Sequence, residues 1–207
     1  ADLGIALDGD ADRVILISTE GKIIEGDQIL YILASATNNH QFNSKIVGTI
    51  LTNSGLEISL KNKGIKLYRS DVGDKNVLQL MRQTGSILGG ENSGHIINLD
   101  YSPSGDGLLT AVLVMKAIVE LDTSIGELLH GLELVPQFNY NIETDLTKLS
   151  NDLITKLSDE ANTNLHNGRV LVRKSGTEPM LRITVESLDE AHAQKLFESI
   201  KAQVNQT

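Results

Sequence analysis

Residues 45–70, KIVGTILTNSGLEISLKNKGIKLYRS, predict the fold of the largest part of this chain. The apolar run at 45–50 predicts a strand, and the helical spacing of apolar residues at 54–63 predicts a helix. A second apolar run at 66–70 predicts another strand. Strands and helices that alternate in this way indicate an α/β layer domain with a largely parallel sheet.

The alternation continues on both sides of this stretch. Its further predicted elements are a helix from Asp27, helices at 75–84 and 106–121, strands at 86–89 and 95–99, and a short helix that Ser124 and Glu127 open with capping-box spacing. We therefore expect residues 26–134 to form a complete three-layer α/β domain with a mixed sheet.

The residues before this domain contain short apolar runs around an acidic turn. The predicted strands there are 3–8, 14–18 and 22–25. They are typical of the last strands of a larger sheet. Residues 1–25 are therefore interpreted as the truncated C-terminal remnant of another α/β domain.

The pattern changes again around 134–138. The predicted order after it is strand, helix, two strands and helix, which indicates a small α+β domain over residues 135–207. Ser187 and Glu190 have the spacing to cap the last helix of this domain.

Composition excludes several classes of function. The chain has 207 residues, of which 40% are hydrophobic, which is enough for well-formed apolar cores. It has no cysteine, so any metal must be held by oxygen or histidine. The net charge of -9 argues against nucleic-acid binding, because neutralising phosphates requires a basic face. No run is apolar enough to span a bilayer and nothing marks the chain for export, so we expect no membrane partner and a cytoplasmic location.

The first loop with a chemical pattern is DGDADR at residues 8–13, directly after an apolar strand. Its three carboxylates stand at alternate positions and can converge on one hard cation, since Gly9 and Ala11 let the backbone curl tightly. The predicted ligands are Asp8, Asp10 and Asp12. Three ligands leave room for a phosphate oxygen and water, which favours Mg2+ over calcium.

Other interpretations of this loop can be checked against the sequence. An EF-hand needs Gly and Glu at the loop positions where Arg13 and Thr19 stand, so it fails. A phosphatase of the haloacid-dehalogenase type also has paired aspartates after a strand, but its pattern expects Thr or Val where Ala11 or Asp12 stands. The remaining alternative is an acidic turn that only contacts solvent.

The second loop is GGENSGH at residues 89–95, between two predicted strands. Its glycines let the backbone approach a ligand closely, and Glu91 and Ser93 offer an acceptor and a donor for adjacent sugar hydroxyls. His95 could transfer a proton near neutral pH. A glycine-rich hairpin with incidental polar residues is the alternative interpretation.

The third loop is RKSGTEP at residues 173–179, followed by Arg182. Backbone N–H groups around Gly176, two hydroxyls and a guanidinium on either side form a cradle for a phosphate dianion. The alternative is a surface turn whose arginines pair with Glu178 and Glu186.

Taken together and in this order, DGDADR, GGENSGH and RKSGTEPMLR resemble the metal-binding, sugar-binding and phosphate-binding loops of the α-D-phosphohexomutases. The stretches GDQILYILA, VGDKNV and SGDGLLTAVLVMKAI between them are also similar to that family. Within the family, SGTEP followed by Arg182 and TVE most resembles the branch that acts on glucosamine phosphate. Branches that act on glucose phosphates also carry SGTEP.

The resemblance implies a role for each matched position. Magnesium would be held by Asp8, Asp10 and Asp12, with Arg13 beside the phosphoryl group that is transferred. Sugar hydroxyls would be bound by Glu91 and Ser93, with His95 as a proton carrier and Lys75, where the family commonly has Arg, as a phosphate contact. The phosphate that does not react would be bound by Arg173, Ser175, Gly176, Thr177 and Arg182.

In the family reaction a phosphoserine and a sugar bisphosphate intermediate interconvert hexose 6-phosphate and hexose 1-phosphate, here glucosamine 6-phosphate and glucosamine 1-phosphate. The phosphoserine lies in an N-terminal domain with a serine-histidine-asparagine signature, which these 207 residues do not contain. We therefore expect a C-terminal portion whose partners are the N-terminal domains of the same protein and which is inactive alone. The alternatives are a phosphomannomutase/phosphoglucomutase, or a non-catalytic fragment that binds magnesium and a phosphosugar.

Overall fold

A computed structural model describes residues 1–36, 44–163, 165, 168–176 and 178–205. The chain divides into two compact units, Ala1–Glu133 and Leu134–Thr207. None of the helices in the described part of the chain has the length and apolar character that crossing a membrane requires.

The first unit begins with a small antiparallel sheet. Its strands, in the order β1-β2-β3, are β1 (Gly4–Leu7), β2 (Val14–Ile17) and β3 (Ile23–Ile24). Val14, Leu16 and Ile24 are buried in the same apolar core as the first helix of the following α/β layers. The interpretation of residues 1–25 as the remnant of a separate domain stays a prediction.

The main sheet of the first unit is mixed, as the sequence predicted. Its strands, in the order β5-β4-β6-β7, are β4 (Lys45–Thr49), β5 (Lys66–Ser70), β6 (Leu88–Gly90) and β7 (Ile96–Asn98). Strand β4 runs parallel to β5 and β6, whereas β6 and β7 are antiparallel. The helices are α1 (Gly26–Ala36), α2 (Ser54–Asn62), α3 (Asp74–Thr84), α4 (Gly107–Glu120) and α5 (Ile125–Leu128).

Both faces of this sheet are covered by helices, which gives the three-layer α/β architecture. Successive side chains of a strand point to opposite faces. Accordingly, Ile46 lies in the core that α1, α2 and α4 share, whereas its neighbour Val47 packs against Val77 and Met81 of α3.

In its described residues the second unit has a three-stranded antiparallel sheet, two α-helices and one short 3-10 helix, Leu146–Lys148. Its elements are β8 (Gln137–Glu143), α6 (Asn151–Thr163), β9 (Gly168–Lys174), β10 (Met180–Ser187) and α7 (Glu190–Val204), with β10 in the middle of the sheet. The Tyr140 ring of β8 stacks on Phe197 of α7 at 4.3 Å between ring centroids. This is the α+β arrangement predicted for the C-terminal part.

The caps of two helices can be compared with their predictions. Ser124 caps α5 as expected, because its hydroxyl accepts a hydrogen bond from the Glu127 N–H at 3.2 Å. The prediction that Ser187 caps α7 is wrong. The helix begins at Glu190, so the residue directly before it is Asp189, whose carboxylate accepts from the His192 N–H at 3.1 Å.

Candidate active site

The metal loop, residues 8–13, is the turn between β1 and β2. One carboxylate oxygen from each of Asp8, Asp10 and Asp12 lies within 4.8 Å of the other two. Of the two small residues expected to permit this curl, only Ala11 has a positive φ, at 59°. Its N–H donates to the Asp8 carbonyl at 3.2 Å, which closes the turn. The loop thus brings its three carboxylates together through one left-handed residue.

One arginine partly balances the charge of this loop. The Arg13 backbone N–H donates to Asp8 Oδ1 at 3.2 Å, and its Nε lies 3.9 Å from Asp8 Oδ2 and from Asp12 Oδ1. Desolvation acts to raise the pKa of the Asp8 carboxyl, but the Arg13 N–H, the Asp12 side chain and the Arg13 charge together leave that pKa lowered. Asp8 is therefore ready to act as an anionic ligand at neutral pH.

The donor set fits a hard divalent cation. Asp12 Oδ1 is buried, yet it accepts no hydrogen bond from the residues that the structure describes. A buried carboxylate oxygen without a hydrogen-bond donor is costly unless a cation satisfies it. Two further carboxylates next to it are the oxygen ligands that Mg2+ prefers.

The sugar loop, residues 91–95, connects β6 and β7. Glu91 is tied to the start of α3, because its Oε1 accepts from the Gly73 N–H at 3.0 Å. Ser93 is exposed and available to a ligand. Lys75, also exposed, stands in the first turn of the helix whose N-cap, Gly73, contacts Glu91. The structure thus places the predicted sugar contacts and Lys75 in one neighbourhood.

The metal loop and the sugar loop are joined directly. The Val14 N–H donates to the Gly94 carbonyl at 3.2 Å, and Arg13 and His95 form an isolated antiparallel bridge. The start of α4 also contacts the metal loop, because the Gly107 N–H donates to the Ala11 carbonyl at 2.9 Å. Two loops about eighty positions apart in sequence therefore form one surface.

His95 lies at the centre of this junction. Its side chain is 8% exposed, and its Nε2 is 3.7 Å from Asp12 Oδ2. Gly105 packs on the ring, since a Cβ there would lie 2.2 Å from His95 Nε2. Sequence reasoning missed Gly105, because nothing in SPSGDG distinguishes a glycine needed for close packing from one needed for a turn.

The phosphate loop, residues 173–179, begins at the end of β9 and leads to β10 in the second unit. Arg173 and Arg182 face each other across the strand pair. Desolvation and the neighbouring Arg182 charge lower the pKa of Arg173 from its ordinary value. Two facing guanidinium groups in this position form a site that an anion would stabilise.

Two other predicted members of the phosphate loop, Ser175 and Gly176, directly follow β9. The Ser175 N–H donates to the Met180 carbonyl at 2.9 Å, Gly176 is exposed, and Thr177 lies outside the described residues. Arg182 Nη2 is 2.8 Å from Glu178 Oε2, while its buried Nε has no hydrogen-bond partner among the described residues. Of the alternative pairing, the structure shows the contact of Arg182 with Glu178, and it shows Glu186 paired with Arg169 at 2.9 Å.

A cavity of about 810 Å³ lies elsewhere in the first unit, between the end of α4 and the β2–β3 turn. None of the predicted site residues lines it.

Comparison with known proteins identifies the family. Residues 25–134 match the phosphoglucomutase/phosphomannomutase α/β/α domain III, and residues 144–203 match the C-terminal domain of the same family. The chain belongs to the phosphoglucomutase/phosphomannomutase family. These phosphohexomutases include the phosphoglucosamine mutase of Shewanella amazonensis, which is 45% identical to this chain over 204 residues, 97% of this chain and 46% of that protein. The chain spans about half the length of the curated phosphohexomutases it matches.

Solved phosphohexomutase structures share the fold. Aspergillus fumigatus N-acetylphosphoglucosamine mutase in complex with GlcNAc-6P and magnesium has a TM-score of 0.77 at 18% identity, over 95% of this chain and 50% of that chain. A variant of the same fungal protein in complex with glucose 1,6-bisphosphate has a TM-score of 0.77 at 18% identity, over 96% and 47%. At this identity the likeness establishes the fold.

Proposed function

We propose that the protein carrying this chain interconverts glucosamine 6-phosphate and glucosamine 1-phosphate. The observation that carries the proposal is the junction of the three-carboxylate loop with the sugar loop through Arg13 and His95. A phosphoryl-transfer site needs charge stabilisation directly beside the hydroxyl that receives the group. The 45% identity to a phosphoglucosamine mutase supports the choice of sugar.

In this proposal the metal loop binds Mg2+ through Asp8, Asp10 and Asp12. Bound magnesium would supply electrostatic stabilisation of the transferring phosphoryl group. Arg13, whose Nε lies 3.9 Å from the carboxylates of Asp8 and Asp12, would add a second positive charge to the site. Glu91 and Ser93 would orient the sugar by hydrogen bonds to its hydroxyls.

The second unit would hold the phosphate that does not react. Arg173 and Arg182 would bind it as a facing guanidinium pair, with Ser175, Gly176 and Thr177 completing the cradle. Binding energy from this idle phosphate would help to orient the reacting end of the substrate. The proposed reaction passes through a sugar bisphosphate intermediate.

The residue that donates and recovers the phosphoryl group would be a phosphoserine in the N-terminal domains of the same protein. Ser93 and Ser175 are not proposed for this role, since each stands in a loop with a different predicted ligand. We therefore propose that these 207 residues bind magnesium and phosphosugar but do not turn over alone. A cytoplasmic location stays a prediction, which subcellular fractionation of the native protein would test.

The test measures mutase activity of the complete protein on glucosamine, glucose and mannose 6-phosphates. We expect a higher kcat/KM for glucosamine 6-phosphate, and loss of turnover in Asp10→Asn with the fold intact. A clear preference for glucose or mannose phosphate would identify the phosphoglucomutase/phosphomannomutase alternative instead. Net release of inorganic phosphate, abolished by Asp8→Asn, would contradict a mutase and indicate a phosphatase. Turnover by the 207-residue chain alone would refute the need for a separate phosphoserine domain.

A further inference from the structure

Asp27 is a buried carboxylate that the proposed site does not use. It stands in the first turn of α1 and is 6% exposed. Its Oδ2 accepts a hydrogen bond at 2.8 Å from the N–H of Asn53, the last residue of the β4–α2 loop, residues 50–53. A carboxylate is costly to bury unless hydrogen bonds compensate it, and hydrogen bonds to a charged acceptor are among the stronger ones. This contact therefore holds the start of α1 firmly to the β4–α2 loop.

The β4–α2 loop is held from two sides. Asn53 caps α2, so the Asp27 carboxylate lies at the N-terminal ends of two helices, where the partial positive charges of both favour an anion. From β5, the Arg69 Nη1 donates to the carbonyls of Thr49 and Thr52. The position of this loop is thus fixed by two charged side chains from different elements.

The residue before Asp27 joins α1 to the sugar loop. The Gly26 N–H donates to the Asn92 carbonyl at 3.1 Å. Asn92 stands between the two predicted sugar contacts, Glu91 and Ser93. A Cβ at Gly26 would lie 2.0 Å from the Glu91 carbonyl oxygen, so the two segments are in direct backbone contact. Adjacent residues of α1 are therefore bonded to two separate loops.

These two loops follow the carboxyl ends of adjacent parallel strands. Val47 of β4 is opposite Gly89 of β6, so the β4–α2 loop and the sugar loop begin at the same edge of the sheet. The chain leaves β4 toward β5 and leaves β6 toward β7, which lie on opposite sides. In open α/β sheets, ligands bind in the crevice at the carboxyl ends of strands where the direction changes in this way. The first two residues of α1 thus hold both sides of that crevice.

We propose that Asp27 is a positioning residue for the sugar: through the Asn53 N–H it sets the distance between the β4–α2 loop and the sugar loop. Its side chain is buried, so it acts through the loops and not on the ligand. The inference rests on the proposed binding of a hexosamine phosphate by Glu91 and Ser93. Misplacing a substrate by about 1 Å can lower its turnover roughly 100-fold, so loss of this acceptor should reduce activity in a protein that is still folded.

Three variants of the complete protein separate positioning from stability. Asp27→Ala removes the acceptor, whereas Asp27→Asn keeps an oxygen that can accept from the Asn53 N–H. Asp189→Ala is the matched control, because the Asp189 carboxylate also accepts a backbone N–H at the start of a helix, α7 of the second unit, at 3.1 Å. Circular dichroism and thermal unfolding establish which variants are folded.

The kinetics are measured with glucosamine 6-phosphate at a temperature where the variants are folded. We expect kcat/KM to fall roughly 10- to 100-fold in Asp27→Ala and to stay within about threefold of wild type in Asp27→Asn and Asp189→Ala. A residue that only stabilises the fold would change the unfolding temperature and leave kcat/KM of the folded protein unchanged. Unchanged kcat/KM in a folded Asp27→Ala, or an equal loss in Asp27→Asn, would overturn the proposal.

Binding of Mn2+, a paramagnetic probe of the magnesium site, tests whether the effect is confined to the sugar. The three carboxylates belong to a separate turn, between β1 and β2, so the Mn2+ affinity measured by electron paramagnetic resonance should be unchanged in Asp27→Ala. A loss of Mn2+ affinity as large as the loss of kcat/KM would indicate general disorder of the unit and contradict a positioning role.

A second measurement needs no variant and decides the matter if Asp27→Ala does not fold. Backbone amide NMR shifts of the wild type are followed as glucosamine 6-phosphate is added. We expect residues 50–53 and 91–95 to shift together. Shifts confined to 91–95 would overturn this inference and leave the proposed function standing. Shifts in both loops without turnover would support the inference and refute the proposed reaction, and shifts in neither would refute the proposed sugar binding and this inference with it.

Discussion

Arg173 and Arg182 face each other in the second unit, and this arrangement predicts an effect of phosphate on stability. We expect phosphate to reverse which protein is the more stable, the wild type or a variant that lacks Arg173. The perturbation is Arg173→Met, which removes one of two like charges at directly opposed positions of β9 and β10. Its control is Lys174→Met. Lys174 is the next residue of the same strand, so it lies on the other face of the sheet, and its Nζ donates to the Leu146 carbonyl at 3.2 Å. Both variants lose one positive charge.

The magnitudes follow from this geometry. Like charges directly opposite in an antiparallel pair destabilise it by about 0.2–1 kcal/mol, so Arg173→Met should raise the free energy of unfolding of the second unit by that amount without an anion. Phosphate at ten times its dissociation constant should stabilise the wild type by about 1.4 kcal/mol and the variant far less. Wild type should therefore be the less stable protein without phosphate and the more stable one with it. Lys174→Met should lose about 0.5–1.5 kcal/mol with its hydrogen bond and keep the response to phosphate.

The assay is amide hydrogen exchange of β9 and β10, followed by mass spectrometry, with and without inorganic phosphate. Exchange in the wild type and in Lys174→Met should slow by about tenfold at ten times the dissociation constant, whereas Arg173→Met should respond little. Equal phosphate responses in Arg173→Met and Lys174→Met would refute the proposed cradle. Stabilities that keep the same order with and without phosphate would refute the like-charge argument.

Three further predictions concern single positions. Gly94 has φ 89°, and a Cβ there would lie 2.2 Å from the Val14 carbonyl oxygen, so Gly94→Ala should lower the free energy of unfolding in urea by roughly 2–5 kcal/mol; a loss below about 1 kcal/mol would contradict this. Ala11→Gly relieves a left-handed alanine, worth about 1–2 kcal/mol, but adds about 0.4–1 kcal/mol of unfolded-chain entropy, so urea unfolding should show a gain of up to about 1.6 kcal/mol and not a loss. Hydrogen bonds from the Thr147 hydroxyl and N–H lower the pKa of Asp145, so its contribution is present above the unfolded-state pKa and lost as pH falls through the folded-state value. Asp145→Asn keeps an acceptor but cannot titrate, so its stability should fall less steeply in acid than that of wild type.

Much of the fold followed from periodicity. The strand predicted at 66–70 has those bounds, and the helix predicted at 54–63 ends one residue earlier, at Asn62. The sequence predicts the first strand of the C-terminal part near 139–143, and strand β8 begins two residues before that, at Gln137. The reason is pairing: Gln137 lies opposite Glu186 of β10 and its amide donates to that buried carboxylate at 2.8 Å, which no local pattern reveals.

The candidate site was predictable in its loops but not in its contacts. The alternating carboxylates predicted that Asp8, Asp10 and Asp12 would converge, because this pattern is local in sequence; metal binding by them stays a prediction. The bridge between Arg13 and His95 and the packing of Gly105 on the ring join distant segments, so they depend on the order of strands in space. The prediction for the backbone of the metal loop was only partly right. Gly9 and Ala11 were both expected to let the backbone curl, but within the loop only Ala11 has a positive φ.

The contacts between the metal and sugar loops are largely hydrogen bonds of the main chain. The distance between the two loops therefore depends little on which side chains they carry. A Cβ added at Gly26, Gly94 or Gly107 would lie within 2.6 Å of a carbonyl oxygen in the opposing segment. Substitution of these glycines by larger residues is therefore sterically excluded. Glu91 and Ser93 carry no such steric demand on the junction. Evolution could therefore exchange the residues that we propose to bind the sugar while the distance between the loops stays unchanged, so a change of substrate preference would not require a change of scaffold.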